Sequence, residues 1–413
     1  MPKYDVAVLG AGLGGLAVAA LFSRSGKKSI VIERDGSLDD SLGILKHDGF
    51  SFMSAPTLSY GLQQGDAIHG LFSGLGPIWD LADHSPSYQV ALPDRRITVY
   101  AEQERTREEL GREFPDEIAV LSRFYRDIHK DAVTISKSRI SAFVSRRRTA
   151  ASFLRKYRFS TKLMMYFNVQ SLYFFKKPIA DLSFASLIML CDTAPIRLHG
   201  GFQNMAEQLY RSLLQHGGEM YYREPDVELI PGTSRSVGIK TVHGILDAAQ
   251  ILVGQTAPHT TSTLCLGIRE QVVPVGMCQD VLCLPDYSEP NNVMVLSLSA
   301  HQDTSAAPEG MRALTASFYS SNGSTKETAA RIQAVSKIVP FLSDHLIFSL
   351  EQPARHDTLT LPVDLSLKTF FSSESSPVIL RSSKHRNIFV LKERTEAPYQ
   401  MLSTVVRFVQ KLG

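Results

Sequence analysis

The sequence lacks any run of about 20 apolar residues, the length that a membrane-spanning helix requires. Its net charge is only +3 over 413 residues, so the overall charge indicates no nucleic-acid partner. Cysteine is scarce, and the four residues form neither C-x-x-C pairs nor clusters with histidine. We therefore expect reduced, buried thiols rather than disulfides or a metal site. The length is sufficient for two domains with a large core.

Motifs that would identify other chemistries are also missing. There is no G-x-S-x-G nucleophile turn, no H-E-x-x-H zinc motif and no P-loop lysine. The histidines are isolated from one another, so we assign no catalytic acid or base and no metal ligand. Because strand-forming residues follow the first methionine almost at once, we expect no secretory signal peptide and a cytoplasmic location.

The N-terminal segment carries the most informative pattern. Residues 4–9 predict a short buried strand, residues 10–15 (GAGLGG) a glycine turn, and the Ala-rich residues after them a helix. A second strand over 29–32 ends on Glu33. This order of strand, glycine turn, helix, strand and acid is typical of a dinucleotide-binding βαβ unit.

Each part of this unit has a physical role. Gly10 permits the tight turn, Gly12 lets a pyrophosphate approach the backbone, and Gly15 allows close packing of helix on strand. The N–H groups at the helix start attract phosphate, and Glu33 suits ribose hydroxyls but repels a 2′-phosphate. FAD or NAD therefore fits better than NADP. The predicted cofactor-binding residues of this unit are Gly10, Ala11, Gly12, Leu13, Gly14, Gly15, Glu33 and Arg34.

Four further segments follow the unit in a characteristic order. They are 49–58 (GFSFMSAPTL), 94–99 (DRRITV), 199–219 (HGGFQNMAEQL to GGE) and 307–310 (APEG). Together with the βαβ unit, they resemble the phytoene desaturase and carotenoid isomerase group of flavin amine-oxidase-like enzymes. The resemblance extends over nearly the whole chain.

That resemblance implies an α/β fold in which a discontinuous Rossmann-type FAD- or NAD(P)-binding domain carries an inserted α+β substrate domain of mixed sheet and helices. We assign the nucleotide domain to 1–75, 195–265 and 350–413, and the substrate domain to 76–194 and 266–349. By resemblance, the backbone of Val227 contacts the adenine and the turn at Ala257 approaches the cofactor. The implied activity is FAD-dependent oxidation of a long, apolar, isoprenoid-like substrate, with NAD a weaker candidate.

A basic, aromatic segment suggests a further contact. No acidic residue occurs between Asp131 and Asp181, while eleven Lys and Arg residues alternate with aromatic clusters there. Positive charge beside aromatic residues suits an anionic bilayer, so residues 137–177 predict peripheral attachment at the inner face of a membrane. A solvated basic helix over an ordinary core helix is the alternative, and nucleic-acid binding fits less well. The oligomeric state is left open.

Two departures from the family pattern leave alternatives open. Asp39-Asp40-Ser41 replaces a Gly-Gly-Arg-type turn beside the flavin, and the Gly-Asp that follows the last strand is absent, with Glu393 nearby. FAD could bind with altered geometry, a smaller adenine nucleotide could bind, or the fold could persist without redox function. The last option describes a redox-inactive relative that serves as a nucleotide-binding or protein-interaction subunit.

Overall fold

The computed structural model describes most of the chain. The described residues are 2–34, 36, 44–53, 57–60, 69, 81–82, 86–136, 148–198, 201–230, 236–256, 261–319, 327–352, 367–372, 378–382, 386–393 and 398–412.

The strands in this part of the chain, in order, are β1 (Lys3–Leu9), β2 (Ser29–Ile32), β3 (Ile44–His47), β4 (Phe50–Met53), β5 (Leu58–Ser59), β6 (Leu81–Ala82), β7 (Tyr88–Leu92), β8 (Arg95–Val99), β9 (Ile196–Leu198), β10 (Glu219–Tyr221), β11 (Glu228–Ile230), β12 (Val237–Thr241), β13 (Gly244–Thr256), β14 (Thr261–Arg269), β15 (Asp280–Cys283), β16 (Val293–Leu298), β17 (Met311–Tyr319), β18 (Leu346–Gln352), β19 (Leu367–Ser372), β20 (Val378–Ser382) and β21 (Ile388–Glu393).

The helices are α1 (Leu13–Arg24), α2 (Gln103–Glu113), α3 (Ile118–Ser136), α4 (Ala150–Leu154), α5 (Thr161–Phe175), α6 (Phe184–Asp192), α7 (Gly201–Gln215), α8 (Thr328–Ser336), α9 (Leu342–His345) and α10 (Pro398–Leu412).

Most strands belong to two large sheets. One has the order β10-β2-β1-β13-β21-β20-β19, with β11 and β12 attached beside β13, and its central pairs are parallel. The other has the order β18-β14-β17-β16-β15-β7-β8 and is mostly antiparallel. The predicted mixed α/β class with a Rossmann-type parallel sheet is thus confirmed. Strand β14 lies in the second sheet although it begins before the predicted domain boundary at residue 265.

The core of the parallel sheet forms around α1. This helix is almost entirely buried because its small and apolar residues allow it to lie close to the sheet, with α7 and α10 packed beside it. The C-terminal residues predict a closing helix with an apolar side, and α10 confirms it. Its buried residues include Leu402, Val405, Val406 and Val409.

Helix α7 shows where a local pattern succeeds and where it fails. The helical spacing of Met205, Leu209, Leu213 and Leu214 predicts one apolar face, and the first three are buried, but Leu214 is 44% exposed because it lies beyond the edge of the apolar stripe. The two glycines after the helix predict a C-cap, which is confirmed, since Gly217 has φ of +79° and the Gly218 N–H donates to the Leu213 carbonyl at 2.9 Å. The pattern over residues 221–230 predicts one strand, which is wrong: β10 ends at Tyr221, β11 begins at Glu228, and residues 222–227 belong to no strand.

The basic, aromatic segment is described from residue 148 onward; residues 137–147 lie outside the described part. Most of its aromatic side chains enter the core between the second sheet and the helices over it, so they are not available at the surface. The buried ones are Phe153, Tyr157, Tyr166, Phe167, Tyr173 and Phe175. Arg155, Lys156 and Arg158 remain exposed. Within the described residues, no helix is both long and apolar enough to span a bilayer.

All four cysteines are buried and none forms a disulfide. Burial raises the pKa of the Cys278 thiol to about 11 and that of the Cys265 thiol to about 12, which keeps both in the unreactive thiol form. The expectation that the thiols are buried is confirmed.

A buried ion pair joins the second sheet to the small sheet formed by β5, β9 and β6. Arg197 on β9 lies 2.5 Å from the Asp280 carboxylate on β15, and the Asp280 side chain is fully buried. Thr57 and Ser297 each donate a hydroxyl to that carboxylate at 2.8 Å, and Arg197 also donates to the Ser87 carbonyl at 3.1 Å. The network ties β9, which leads into α7, to the sheet of the predicted substrate domain.

Replacement of Arg197 by Leu should destabilise the protein by about 3–5 kcal/mol, because the Asp280 carboxylate would stay buried without its cation. Urea unfolding followed by circular dichroism measures this. The double variant Arg197→Leu, Asp280→Leu should recover part of the loss, since neither charge remains. Arg211→Leu removes a solvent-exposed pair with Glu207 and should change stability little. Equal effects of Arg197→Leu and Arg211→Leu would contradict the assignment.

Candidate functional site

The Gly10–Gly12 turn lies at the carboxyl edge of the parallel sheet. It follows β1, whose last residue Leu9 pairs with Ile32 on one side and Val253 on the other. Strand β21 runs parallel on the far side of β13 and ends at the same edge. In open sheets of this kind, ligands bind at the carboxyl edge where connections diverge.

Gly10 needs the conformational freedom of glycine. Its φ is +100°, a region that residues with a side chain rarely adopt. A Cβ atom there would also lie 3.6 Å from the Gly254 carbonyl oxygen of β13. The Gly10 N–H donates to the Ile32 carbonyl at 2.8 Å, so the turn is fixed to the end of β2.

The start of α1 has no side-chain cap. Gly12 is the N-cap residue and has no side chain to cap the helix, and no acidic residue lies in the first turn. Leu13, Gly14 and Gly15 are buried. The helix dipole makes an anion a favoured ligand at such a helix start.

Glu33 lies directly opposite this helix start. It is 7% exposed, and the Ala11 N–H donates to its carboxylate. Its backbone is held on both sides: its N–H donates to the Tyr221 carbonyl at 2.8 Å, and its carbonyl accepts from the Glu224 N–H at 3.0 Å. A carboxylate accepts several hydrogen bonds, so the bond to the turn is compatible with a ribose diol on the same group.

A second buried carboxylate near this position was not predicted. Glu224 is 1% exposed, accepts a hydrogen bond from the Val242 N–H at 2.8 Å and lies 3.4 Å from His243 Nε2. Its partners belong to the β12–β13 hairpin, and the sequence gives no signal that this hairpin returns beside Glu224. The carboxylate fixes the segment that follows β10.

The remaining predicted residues are less closely associated. Arg34 is exposed immediately after Glu33. Val227 is half-buried before β11 and packs on the core cluster of the parallel sheet. Ala257 and the Asp39-Asp40-Ser41 segment lie outside the described residues, although β13 ends one residue before Ala257. Glu393 is the last residue of β21 and pairs with Thr256, so the end of β21 reaches the same edge as the glycine turn.

The residues at this edge fit the adenosine diphosphate half of a dinucleotide. The turn offers backbone donors to a pyrophosphate, Glu33 offers an acceptor to a ribose, and the first turn of α1 has no carboxylate that would repel phosphate. Within the described residues, no group of three or more His, Cys, Asp or Glu side chains could hold a metal ion.

A second concave site lies on the other sheet, between β7, α2, α3, α5 and α6. We call it the tyrosine pocket, because five tyrosines (Tyr60, Tyr88, Tyr100, Tyr125 and Tyr166) line it. Gln170, Cys191 and residues 193–195, which lead into β9, also line it. The five tyrosines span 106 residues of the sequence from first to last, so no motif predicts that they meet.

Comparison with known proteins gives consistent results. No family model matches the chain. It is 21% identical over 371 residues to the chloroplastic prolycopene isomerase of Daucus carota, covering 75% of this chain and 60% of that protein. It is 22% identical over 298 residues to 4,4′-diapophytoene desaturase of a Methylomonas species, covering 66% of this chain and 58% of that protein. An oxidoreductase from Methanosarcina mazei has the same fold, with TM-score 0.62, 13% identity and coverage of 99% of this chain and 100% of that one.

The chain thus spans about 60% of the length of the first of these relatives and 58% of the second. The ordered motifs, the parallel sheet with its glycine turn and these similarities agree. The predicted resemblance is confirmed: this chain is similar to the carotenoid isomerases and desaturases.

Proposed function

We propose that the chain is an FAD-dependent oxidoreductase that acts on a long, apolar, isoprenoid-like substrate. The observation that carries the proposal is the glycine turn at the buried start of α1 with Glu33 opposite it, an arrangement that suits a pyrophosphate at the turn and a ribose at the carboxylate. The names of the two curated relatives, an isomerase of prolycopene and a desaturase of diapophytoene, support a carotenoid-like substrate.

In this proposal the protein binds and orients, and the flavin, when bound, supplies the redox step. Gly10 to Gly15, Glu33 and Arg34 would hold the adenosine diphosphate end. The backbone of Val227 would contact the adenine, and the turn at Ala257 would approach the cofactor. The sheet of β10, β2, β1, β13 and β21 supports the nucleotide domain. The second sheet, which contains β7 and β14, supports the substrate domain. We therefore place the boundary between the two domains just before Thr261 rather than at residue 265.

Changing Glu33 to Gln should weaken FAD binding by about tenfold, because hydrogen bonds to a charged carboxylate are stronger than those to a neutral amide. Titration of the protein against FAD, followed by quenching of flavin fluorescence, measures this. The matched control is Glu207→Gln, which changes a carboxylate on α7 that forms a solvent-exposed ion pair with Arg211. Wild-type protein that is colourless after purification and does not respond to added FAD would contradict the proposal and favour the redox-inactive alternative.

Replacement of Asp39 and Asp40 together by glycine should strengthen FAD binding if these carboxylates lie near the flavin pyrophosphate. Two unit charges about 4 Å apart repel by roughly 4 kcal/mol at an effective dielectric constant of 20, so the effect should be measurable in the same titration. Salt should reduce the difference between the two proteins, because screening weakens the repulsion. Equal affinities of wild type and variant would contradict the idea that this segment has diverged at the expense of flavin binding.

We also propose peripheral contact with an anionic membrane through the exposed basic residues of the 137–177 segment. Arg155, Lys156 and Arg158 are close in sequence and exposed. Arg148 is unsuitable as a membrane ligand, because its guanidinium packs over Phe184 at 4.2 Å and pairs with Asp131 at 3.3 Å. The membrane proposal therefore rests on the exposed residues Arg155, Lys156 and Arg158.

The double variant Arg155→Gln, Arg158→Asn should bind vesicles that contain phosphatidylserine more than tenfold less tightly, at about 1 kcal/mol for each charge removed. Asn is chosen at 158 because that residue has φ of +50°, which Asn tolerates. Co-sedimentation measures the loss. The control variant Arg211→Gln, Lys240→Gln also removes two positive charges, but from α7 and β12 of the predicted nucleotide domain. Equal sedimentation of the two variants would refute the membrane contact.

A further inference from the structure

Two apolar side chains project from the layer that covers one face of the second sheet. The relative exposure of Val275 is 106% and that of Phe341 is 74%, the two largest values among the large apolar side chains of the described residues. Val275 lies in the turn formed by residues 274–277, and Phe341 lies immediately before α9. We call Val275 and Phe341 the apolar tips. Single exposed apolar residues are common on protein surfaces, so exposure alone assigns no role to them.

Phe341 is a poor residue for its own position in the fold. Its φ is +62°, in the left-handed region that bulky residues rarely adopt. It is also the N-cap of α9, where Ser, Thr, Asp and Asn are preferred, and its side chain caps nothing. An asparagine would suit both the backbone and the cap without exposing an aromatic ring. The folding of this segment therefore does not explain the phenylalanine, and such local conflicts are typical of functional positions.

The turn that carries Val275 is held firmly. A backbone hydrogen bond of 3.0 Å closes it, and Gly276 has φ of +78°, the positive value that a type II turn requires at its third residue. The buried Gln89 side chain on β7 donates to the Gly276 carbonyl at 3.1 Å and accepts from the Cys278 N–H at 3.2 Å. The Val275 side chain is thus presented at the corner of a fixed turn.

Both apolar tips are attached to the same hairpin of the second sheet, β7–β8. Gln89 on β7 holds the first tip, and Arg96 on β8 donates to the carbonyl of Ile338, which is three residues before Phe341, at 3.3 Å. Gln89 and Arg96 lie on one face of the hairpin, because Gln89 pairs with Thr98 and side chains alternate along a strand. Such diagonal neighbours on two strands are about 7–8 Å apart. The two tips are therefore anchored at neighbouring points of one surface.

The chain around the apolar tips carries no charge. Residues 271–279 and 338–343 include no Asp, Glu, Lys or Arg, and the charges that flank the second stretch, Lys337 and Asp344, are of opposite sign. A lipid bilayer suits such a surface, because the boundary between headgroups and acyl chains accepts apolar side chains, whereas charges inside the bilayer are costly. Both side chains also project from turns, and a projecting side chain enters a fluid acyl layer without a matching pocket.

We propose that the apolar tips insert into the surface layer of a lipid bilayer and anchor the protein there. This inference rests on the proposed membrane contact and deepens it, because it names the side chains that enter the lipid. Proteins that lie on a membrane bind more strongly as more apolar area is buried, in addition to the attraction between basic residues and anionic lipids. The basic residues alone supply only the second of these two contributions.

The position of the basic residues agrees with this proposal. Lys162 at the start of α5, four residues after Arg158, forms an ion pair with Asp94 in the turn between β7 and β8. Helix α5 packs on one face of the second sheet, and the segments with the apolar tips pack on the other. The basic residues and the tips therefore border the same edge hairpin from its two sides.

The test is co-sedimentation of the full-length protein with two kinds of vesicle, one of phosphatidylcholine alone and one that also contains phosphatidylserine. The double variant Val275→Ser, Phe341→Asn should bind both kinds about tenfold less tightly or worse, because two apolar side chains lose their contact with lipid. The matched control is Val242→Ser, which makes the same substitution at a valine that is 65% exposed in the β12–β13 hairpin. Its binding should equal that of wild type.

The substitution at residue 341 separates membrane binding from folding. Phe341→Asn should raise the melting temperature of the free protein, because Asn tolerates the left-handed φ and supplies an N-cap. Vesicle binding should fall in the same variant. A purely structural role of Phe341 predicts the opposite for the melting temperature, so a variant that melts earlier and binds less would overturn the inference.

Equal sedimentation of wild type and the double variant with both kinds of vesicle would also overturn it. So would a dimer in solution that the double variant abolishes, because a second copy of the chain would then cover the tips; sedimentation equilibrium measures this.

The variant Arg155→Gln, Arg158→Asn distinguishes this inference from the proposed basic contact. If that variant alone loses binding, and only to vesicles with phosphatidylserine, the apolar tips are refuted and the basic contact is retained. If the variant at the tips loses binding to both kinds of vesicle while the basic variant sediments like its control, the basic contact is refuted and the tips are retained.

Discussion

The contact between the Ala11 N–H group and the buried Glu33 carboxylate determines the geometry of the nucleotide edge. It joins the turn after β1 to the end of β2, so the start of α1 is held at the carboxyl edge of the sheet. A hydrogen bond to a charged, buried group contributes about 1.5–3 kcal/mol. The backbone bonds of Glu33 to Tyr221 and Glu224 extend the same constraint to the segment after β10, where the adenine is expected.

The position of the second sheet relative to the strand β9 that leads into α7 depends on a different kind of interaction, a buried ion pair. The Arg197–Asp280 pair is buried, and its desolvation cost is offset only because Thr57, Ser297 and the Ser87 carbonyl complete the hydrogen bonding. Such a network fixes a relative position more precisely than apolar packing does. It lies where β9 connects the helices of the second sheet to α7, so it sets how the tyrosine pocket is placed relative to the glycine turn.

The sequence predicts well those features in which neighbours along the chain also interact in space. The βαβ unit, the glycine C-cap after α7 and the closing helix α10 are of this kind. Predictions that depend on distant neighbours are less successful. Leu214 is exposed although it continues an apolar run, and the aromatic residues of α5 are buried because the second sheet lies beneath them. Glu224 and the tyrosine pocket could not be found from spacing, because their partners come from remote elements.

The tyrosines of this chain differ in how their hydroxyl groups are used. Tyr4, Tyr157 and Tyr287 direct theirs to carboxylates of Glu219, Asp127 and Asp94, where water also has access. Such bonds explain a phenol without a ligand. Tyr88 shows the other arrangement, because its hydroxyl lies in the aromatic core and donates to Gln170 Oε1 at 2.6 Å. A phenol that water cannot reach is thus satisfied by a second polar side chain in the core, whereas a phenol nearer the surface is paired with a carboxylate.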